Sequence, residues 1–147
     1  KLVDPEQASH DSILLEGDIE TGLSVLIALR GPRDGRVEPE AFANQSKLFE
    51  RALASLSSGS IFAAMSANGM AVAAATGDDE ALRICNSAIA RGAISAGVTG
   101  TGPAIAIICY EQHADSLAEF VRESEMEVIA AAFTQSRMQS EEASRWE

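Results

Sequence analysis

The chain has 147 residues, 46% of them hydrophobic, and sets 22 Asp and Glu against 11 Lys and Arg for a net charge of -11. That length suits one compact domain with its own core and is short for two, and the apolar content excludes a disordered chain. The acidic balance, with the arginines scattered, excludes a nucleic-acid binder, because a phosphate backbone repels such a surface.

The longest apolar stretches fall short of the roughly 20 residues that span a bilayer, so no membrane partner is expected. Cys85 and Cys109 stand alone, without CxxC or CxxH spacing. They read as buried free thiols of a cytoplasmic protein, and no zinc site is expected. A first residue of Lys, not Met, is what a piece of a longer protein would show.

Along the chain, Ser12–Glu16 and Leu23–Arg30 read as strands, with turn chemistry in Glu16-Gly17-Asp18 and Glu20–Gly22 between them. Gly31–Gly35 breaks the second strand. A long helical block opens at Pro39, whose missing N–H is harmless in a first turn. Its inner stripe is Leu48, Phe49, Ala52, Leu53 and Leu56, and its outer face is Lys47, Glu50 and Arg51. Ser57–Ser60 interrupts, and Ile61, Phe62, Met65, Gly69, Val72 and Ala73 form the stripe of the next helix, which Gly77 ends.

Asp78-Asp79-Glu80 starts a further helix, where free N–H groups and the helix dipole favour carboxylates. That explains the cluster without a metal ion, and no metal site is assigned. Ala81, Leu82, Cys85, Ala88 and Ile89 form this helix's buried face. After Gly92 the period changes to a strand over Ala93–Val98, a turn at Thr99–Gly102 and a strand over Ala104–Cys109. A helix over Gln112–Ser124, with Ala114, Leu117, Phe120 and Val121 inward, and a strand over Glu127–Phe133 follow. Thr134–Glu147 is a polar tail, partly helical or mobile, and Trp146 in it is incidental. His10 and His113 read as surface histidines.

The chain thus divides into a lead-in over 1–22, a domain over 23–133 and the tail over 134–147. From Leu23 on, the order is βαββαβ, which predicts a ferredoxin-like α+β fold with helices on one face of a four-stranded antiparallel sheet.

The sharpest chemical signal is the run from Gly92 to Ala104. As a hairpin it needs fewer glycines than Gly97, Gly100 and Gly102. Thr99 and Thr101 put hydroxyls beside exposed backbone N–H groups, an arrangement an anion can approach. It is neither a Walker loop, which needs Gly-Lys-Ser/Thr, nor a dinucleotide loop, which needs a following helix. Asn68-Gly69 reads either as a lining of a substrate pocket or as a close-packing point in its helix.

The run Val98-Thr99-Gly100-Thr101-Gly102-Pro103-Ala104 resembles the glycine-rich third motif of the GHMP kinases, a family of small-molecule kinases. Its Leu-Ser-Gly-Thr-Gly-Pro-Ala version is that of archaeal-type shikimate kinases, and Ala64–Gly69 and Gly92-Ala93 are similar to the same subgroup. The resemblance covers about Leu23 to Phe133 and identifies the chain as a C-terminal domain of that family. It implies ATP-dependent phosphorylation of the shikimate hydroxyl, with ATP and Mg²⁺ bound by the complete enzyme. The Asp-Arg-x-x-x-Pro segment usual in homoserine kinases is absent, which favours shikimate over homoserine.

Val98, Thr99, Gly100, Thr101 and Gly102 would line the site near the phosphates and acceptor, with Thr99 and Thr101 as donors and Gly100 and Gly102 giving backbone access. Asn68 and Gly69 would line the pocket. The family's Gly-Leu-x-Ser-Ser-Ser-Ala-like phosphate loop belongs to an N-terminal domain and has no counterpart here, so no catalytic residue is assigned. The chain alone is expected to be inactive, to fold by itself, and to form a homo-oligomer through apolar surface meant for that domain. The competing expectation is a non-enzymatic ferredoxin-like module that binds a small ligand or dimerises through its sheet.

Overall fold

The computed structural model describes residues 20–32 and 37–133 and, before them, the backbone of 2–3 and 13–15. The polar tail, His10 and Trp146 lie outside the described residues. Two short strands, β1 (Leu2–Val3) and β2 (Ile13–Leu15), pair antiparallel with each other. The strand expected over Ser12–Glu16 is therefore there, but its partner is β1 and not the strand that follows it.

The main sheet is built from β3 (Leu23–Leu29), β4 (Ser95–Val98), β5 (Ile105–Tyr110) and β6 (Glu127–Ala132) in the order β4-β5-β3-β6, each pair antiparallel. Between β3 and β4 lie α1 (Pro39–Ala43), α2 (Ser46–Ser57), α3 (Ile61–Thr76) and α4 (Asp79–Ala90), and α5 (Glu111–Glu123) joins β5 to β6. β5 sits between β3 and β4, which gives the split crossover of the ferredoxin-like fold read from the element order.

The single helical block expected after Pro39 is two helices, parted at Asn44-Gln45. The rings of Phe42 and Phe49 stack across that break, with centroids 6.1 Å apart. Alternation along the strands sends Leu26, Ala28, Ala96, Val98, Ile105, Ile107 and Cys109 to one face, where they meet Ile84, Cys85 and Ala88 of α4 and Leu117, Phe120 and Val121 of α5. Burial of that cluster is the main stabilising contribution, at about 1.5–3 kcal/mol for each large side chain.

Three residues expected inside are exposed: Leu53, at 60%, together with Ile61 and Ile89. The helical stripes that contain them are wider than the faces their neighbours cover. The opposite sheet face carries the row Gly97, Ala106, Ile27 and Ile129 in register across the four strands, and Ile129 is 48% exposed.

α3 is apolar all round, as suits a helix with neighbours on several sides: it touches α1, α2, α4 and β4. It runs along the open edge of β4. There Ala96 N–H, which points away from β5, donates to Ser66 Oγ at 3.4 Å. Ser95, fully buried, donates through Oγ to Phe62 O at 2.9 Å. That bond uses the only Ser95 proton, so the 2.9 Å contact between the two hydroxyls has Ser66 as donor. The edge is thus covered, with Ala96 N–H and both serine hydroxyls bonded there. Among the described residues no helix is long and apolar enough to cross a membrane.

Candidate functional site

The hairpin between β4 and β5 is closed by Thr99 N–H donating to Ala104 O at 2.9 Å and by Gly102 N–H donating to Thr99 O at 2.8 Å. The second bond defines a four-residue turn with Gly100 at its first central position, φ 54°. A positive φ there followed by a negative one at Thr101 is the pattern of a type II′ turn, for which glycine is the fitting residue. Nothing lies within 4 Å of where a Gly100 Cβ would stand, so the tip is open.

The five loop residues differ in what they offer. Val98 buries its side chain in the core. Thr99 is half-buried, and its hydroxyl turns back to Ala104 O at 3.3 Å, so it braces the turn where a ligand donor was expected. Gly102 spends its N–H inside the turn. Gly100 and Thr101 remain. They are exposed, and among the described residues nothing accepts from their N–H groups or bonds the Thr101 hydroxyl. Two adjacent N–H groups and a hydroxyl thus stand without a partner among the described residues, at an open tip.

Asn68 and Gly69 go different ways. Asn68 is exposed and lines a groove of about 390 Å³ between α2 and α3, with Phe49, Ala52, Leu53, Leu56, Ile61, Ala64 and Met65. That lining is almost wholly apolar and is no phosphate site. Gly69 faces β4. A Cβ built on it would stand 2.4 Å from Gly97 Cα and 2.8 Å from Val98 N, so this is the close-packing point. The structure therefore brings Gly69 to the foot of the hairpin and leaves Asn68 in a groove.

Arg30, at the end of β3, went unread in the sequence. Continuing the β3–β5 register past Ala28↔Ile105 sets Arg30 opposite Pro103 at the hairpin's second foot. Its Nη1 donates to Asp78 Oδ2 at 2.6 Å and to Pro103 O at 3.4 Å. Its Nη2 donates to Asp78 Oδ1 at 2.9 Å and Glu80 Oε2 at 2.6 Å. Its hydrogen bonds to Asp78, opposed by partial burial, raise the guanidinium pKa above its ordinary value, so the side chain stays charged.

Asp78 also caps α4, accepting from Ala81 N–H at 3.0 Å, which is the helix-start role read for the acidic run. Asp78 and Glu80 are both engaged by Arg30. Among the described residues no cluster of three or more His, Cys, Asp or Glu is placed to hold a metal ion. His113 is half-buried on α5 beside Gly92, with its Nε2 3.3 Å from Gln112 Nε2. Both cysteines are buried free thiols. Burial pushes the Cys85 thiol up to about 11, with a smaller push from Asp78, and burial also raises Cys109.

The domain is a split βαββαβ sheet with an open glycine hairpin at one end. The family model described as GHMP kinases C terminal matches residues 28–126, more than half of the chain, and the chain belongs to that family. Two solved structures are similar to it. One is homoserine kinase from Cytophaga hutchinsonii, with TM-score 0.50 and 14% identity over 82% of this chain and 45% of that one. The other is a protein assigned as homoserine kinase from Listeria monocytogenes, with TM-score 0.47 and 17% identity over 77% of this chain and 45% of that one. At these identities the likeness is one of fold, and this chain spans less than half the length of either structure. No curated protein matches the sequence.

Proposed function

We propose that this chain is the C-terminal part of an ATP-dependent kinase that phosphorylates the hydroxyl of a small polar metabolite. The observation that carries the reading is the family match over 28–126, with the open hairpin tip Gly100–Thr101 inside the matched range. It supports a kinase over a non-enzymatic ferredoxin-like module. Phosphoryl transfer depends on positioning and on neutralising charge on the phosphate oxygens. The tip supplies two N–H donors and one hydroxyl suited to such an oxygen. ATP would bring the phosphoryl group and Mg²⁺ would offset its charge. The principal phosphate loop and a catalytic base would come from outside these 147 residues, since no Gly-Leu-x-Ser-Ser-Ser-Ala-like segment is present.

Homoserine is the first acceptor to test, because both solved structures of like fold are described as homoserine kinases. Shikimate is the second reading, favoured by the run Val98–Ala104 and by the absence of an Asp-Arg-x-x-x-Pro segment.

The test is ADP release by the product of the whole reading frame that contains these residues, with Mg²⁺-ATP and either acceptor. Turnover of about 1 s⁻¹ or faster with one of them is expected. Absence of turnover with both, and with other small hydroxyl compounds, would overturn the proposal. Thr101→Val keeps the shape and removes the donor. It is expected to lower kcat/KM by about 10–150-fold, the equivalent of one charge-assisted hydrogen bond, at an unchanged melting temperature. An unchanged kcat/KM would leave Thr101 outside the site.

A further inference from the structure

We infer that Arg30 is a positioning residue: it clamps the second foot of the hairpin to the N-terminus of α4 and so fixes where the tip Gly100–Thr101 stands. This deepens the kinase reading and rests on it. Three elements that share no local sequence meet at one guanidinium. Arg30 directly follows β3, Asp78 caps α4, and Pro103 closes the hairpin just before β5, at sequence separations of 48 and 73 residues from Arg30. All four terminal N–H hydrogens are engaged, two on Asp78 and one each on Glu80 and Pro103 O.

The side chains of Arg30 and Asp78 are only 14% and 12% exposed. Their two-pronged pair is therefore shielded from salt and water and holds a defined geometry. Glu80, 56% exposed, adds little by itself. Held in this way by two carboxylates, the guanidinium is not a free anion receptor. It presents one fixed hydrogen to Pro103 O. Pro103 has no N–H with which to tie itself to a neighbouring strand, so its carbonyl is the handle available at that foot.

Arg30→Lys breaks the clamp without removing charge. A lysine at position 30 can reach one Asp78 oxygen but cannot fork to Asp78 and serve Pro103 and Glu80 together. Asp78→Asn keeps a good N-cap for α4 while weakening the pair, and it stands in if Arg30→Lys fails to fold.

The experiment is residue-level amide exchange and steady-state kinetics on the whole reading-frame product carrying Arg30→Lys or Asp78→Asn. Exchange at Thr99 and Gly102, the amides that close the hairpin, is expected to rise about tenfold, while amides within β3 and β5 stay as in the parent. The melting temperature is expected to stay within about 3 °C of the parent. In the same variants kcat is expected to fall about tenfold with the acceptor KM unchanged, the signature of an interaction needed in the transition state.

Hairpin exchange within about twofold of the parent in both variants would overturn the clamp. Raised exchange with unchanged kcat would overturn its positioning role. Raised hairpin exchange in the variants, with a parent protein inactive on every acceptor, would uphold the clamp while the kinase reading fell, so the two failures are separable.

Discussion

Replacing Gly69 by alanine sets two effects of opposite sign against each other. In a helix interior alanine is favoured over glycine by about 1 kcal/mol, so α3 taken alone would gain stability. Against β4 the new methyl has no room: its Cβ would stand 2.4 Å from Gly97 Cα, 2.8 Å from Val98 N and 3.0 Å from the Gly97 carbonyl carbon. Carbon atoms in contact prefer about 3.5–4.0 Å, so α3 must retreat from β4 by roughly 1 Å or more. All three near atoms are backbone, and none can swing aside as a side chain would.

The retreat also stretches the bonds that seal the edge, Ser66 to Ser95 and Ser95 to Phe62 O, both 2.9 Å. Overpacking of this kind costs about 1–3 kcal/mol, and each weakened hydrogen bond about 1 kcal/mol. After the helix gain is subtracted, the net loss is about 2–4 kcal/mol. Urea denaturation followed by circular dichroism, parent beside variant, measures it. Gly97→Ala calibrates the scale: its Cβ would lie 3.0 Å from Met65 O and 3.1 Å from Gly69 Cα, so it should cost less. A Gly69→Ala protein as stable as the parent, or more stable than Gly97→Ala, would refute the argument.

Ser95→Ala, at a fully buried position, removes the hydroxyl donor of Phe62 O and the acceptor of Ser66, and is expected to cost about 1–3 kcal/mol. The double variant with Ser66→Ala should lose less than the sum of the singles, and additive denaturation energies would speak against a shared network. The folded Cys85 thiol keeps its proton to about 11, whereas the unfolded one gives it up near 9.0. Between those values the unfolded chain binds fewer protons, so stability should fall as pH rises, by about 2–3 kcal/mol in all. Unfolding energies at pH 8.5 and 10.5 should show the drop in the parent and a smaller one in Cys85→Ala; equal drops would remove Cys85 as the cause.

Most of the fold was legible because the hydrophobic period changes where the elements change: 3.6 from Ser46 to Ala90, and 2 on either side of the hairpin. What stayed illegible was pairing. Nothing local in Ile13–Leu15 says that its partner is Leu2–Val3 and not β3. The break at Asn44-Gln45 carries neither glycine nor proline, so the block read as one helix. Periodicity gives the direction of an apolar stripe but not the extent of its cover, and so Leu53 was placed inside and stands outside.

The candidate site divides along the same line. Gly97, Gly100 and Gly102 advertise a special turn, because backbone constraints are written in residue type. The fate of the Thr99 hydroxyl is not, since a threonine beside a turn serves equally to brace it or to bind something. Arg30 gave the weakest signal of all: a cation ending an apolar strand is ordinary until the register places it across from Pro103.

The two feet of the hairpin are held by unlike means. The first is pressed against α3 at Gly69 and Gly97, a contact that depends on the absence of two side chains. The second is tied through Pro103 O to an ion pair on α4. One restraint is steric and insensitive to salt; the other is electrostatic and shielded by burial. Neither reaches the tip, so the segment without partners among the described residues is the one that carries the unused donors, Gly100 N–H, Thr101 N–H and Thr101 Oγ. Under the proposed kinase function, donors on a short turn between two anchored strands would lose little freedom when a phosphate arrives, and such donors stabilise developing charge most effectively. A longer or unclamped loop with the same residues would have to order itself first, at about 1–2 kcal/mol for each residue fixed.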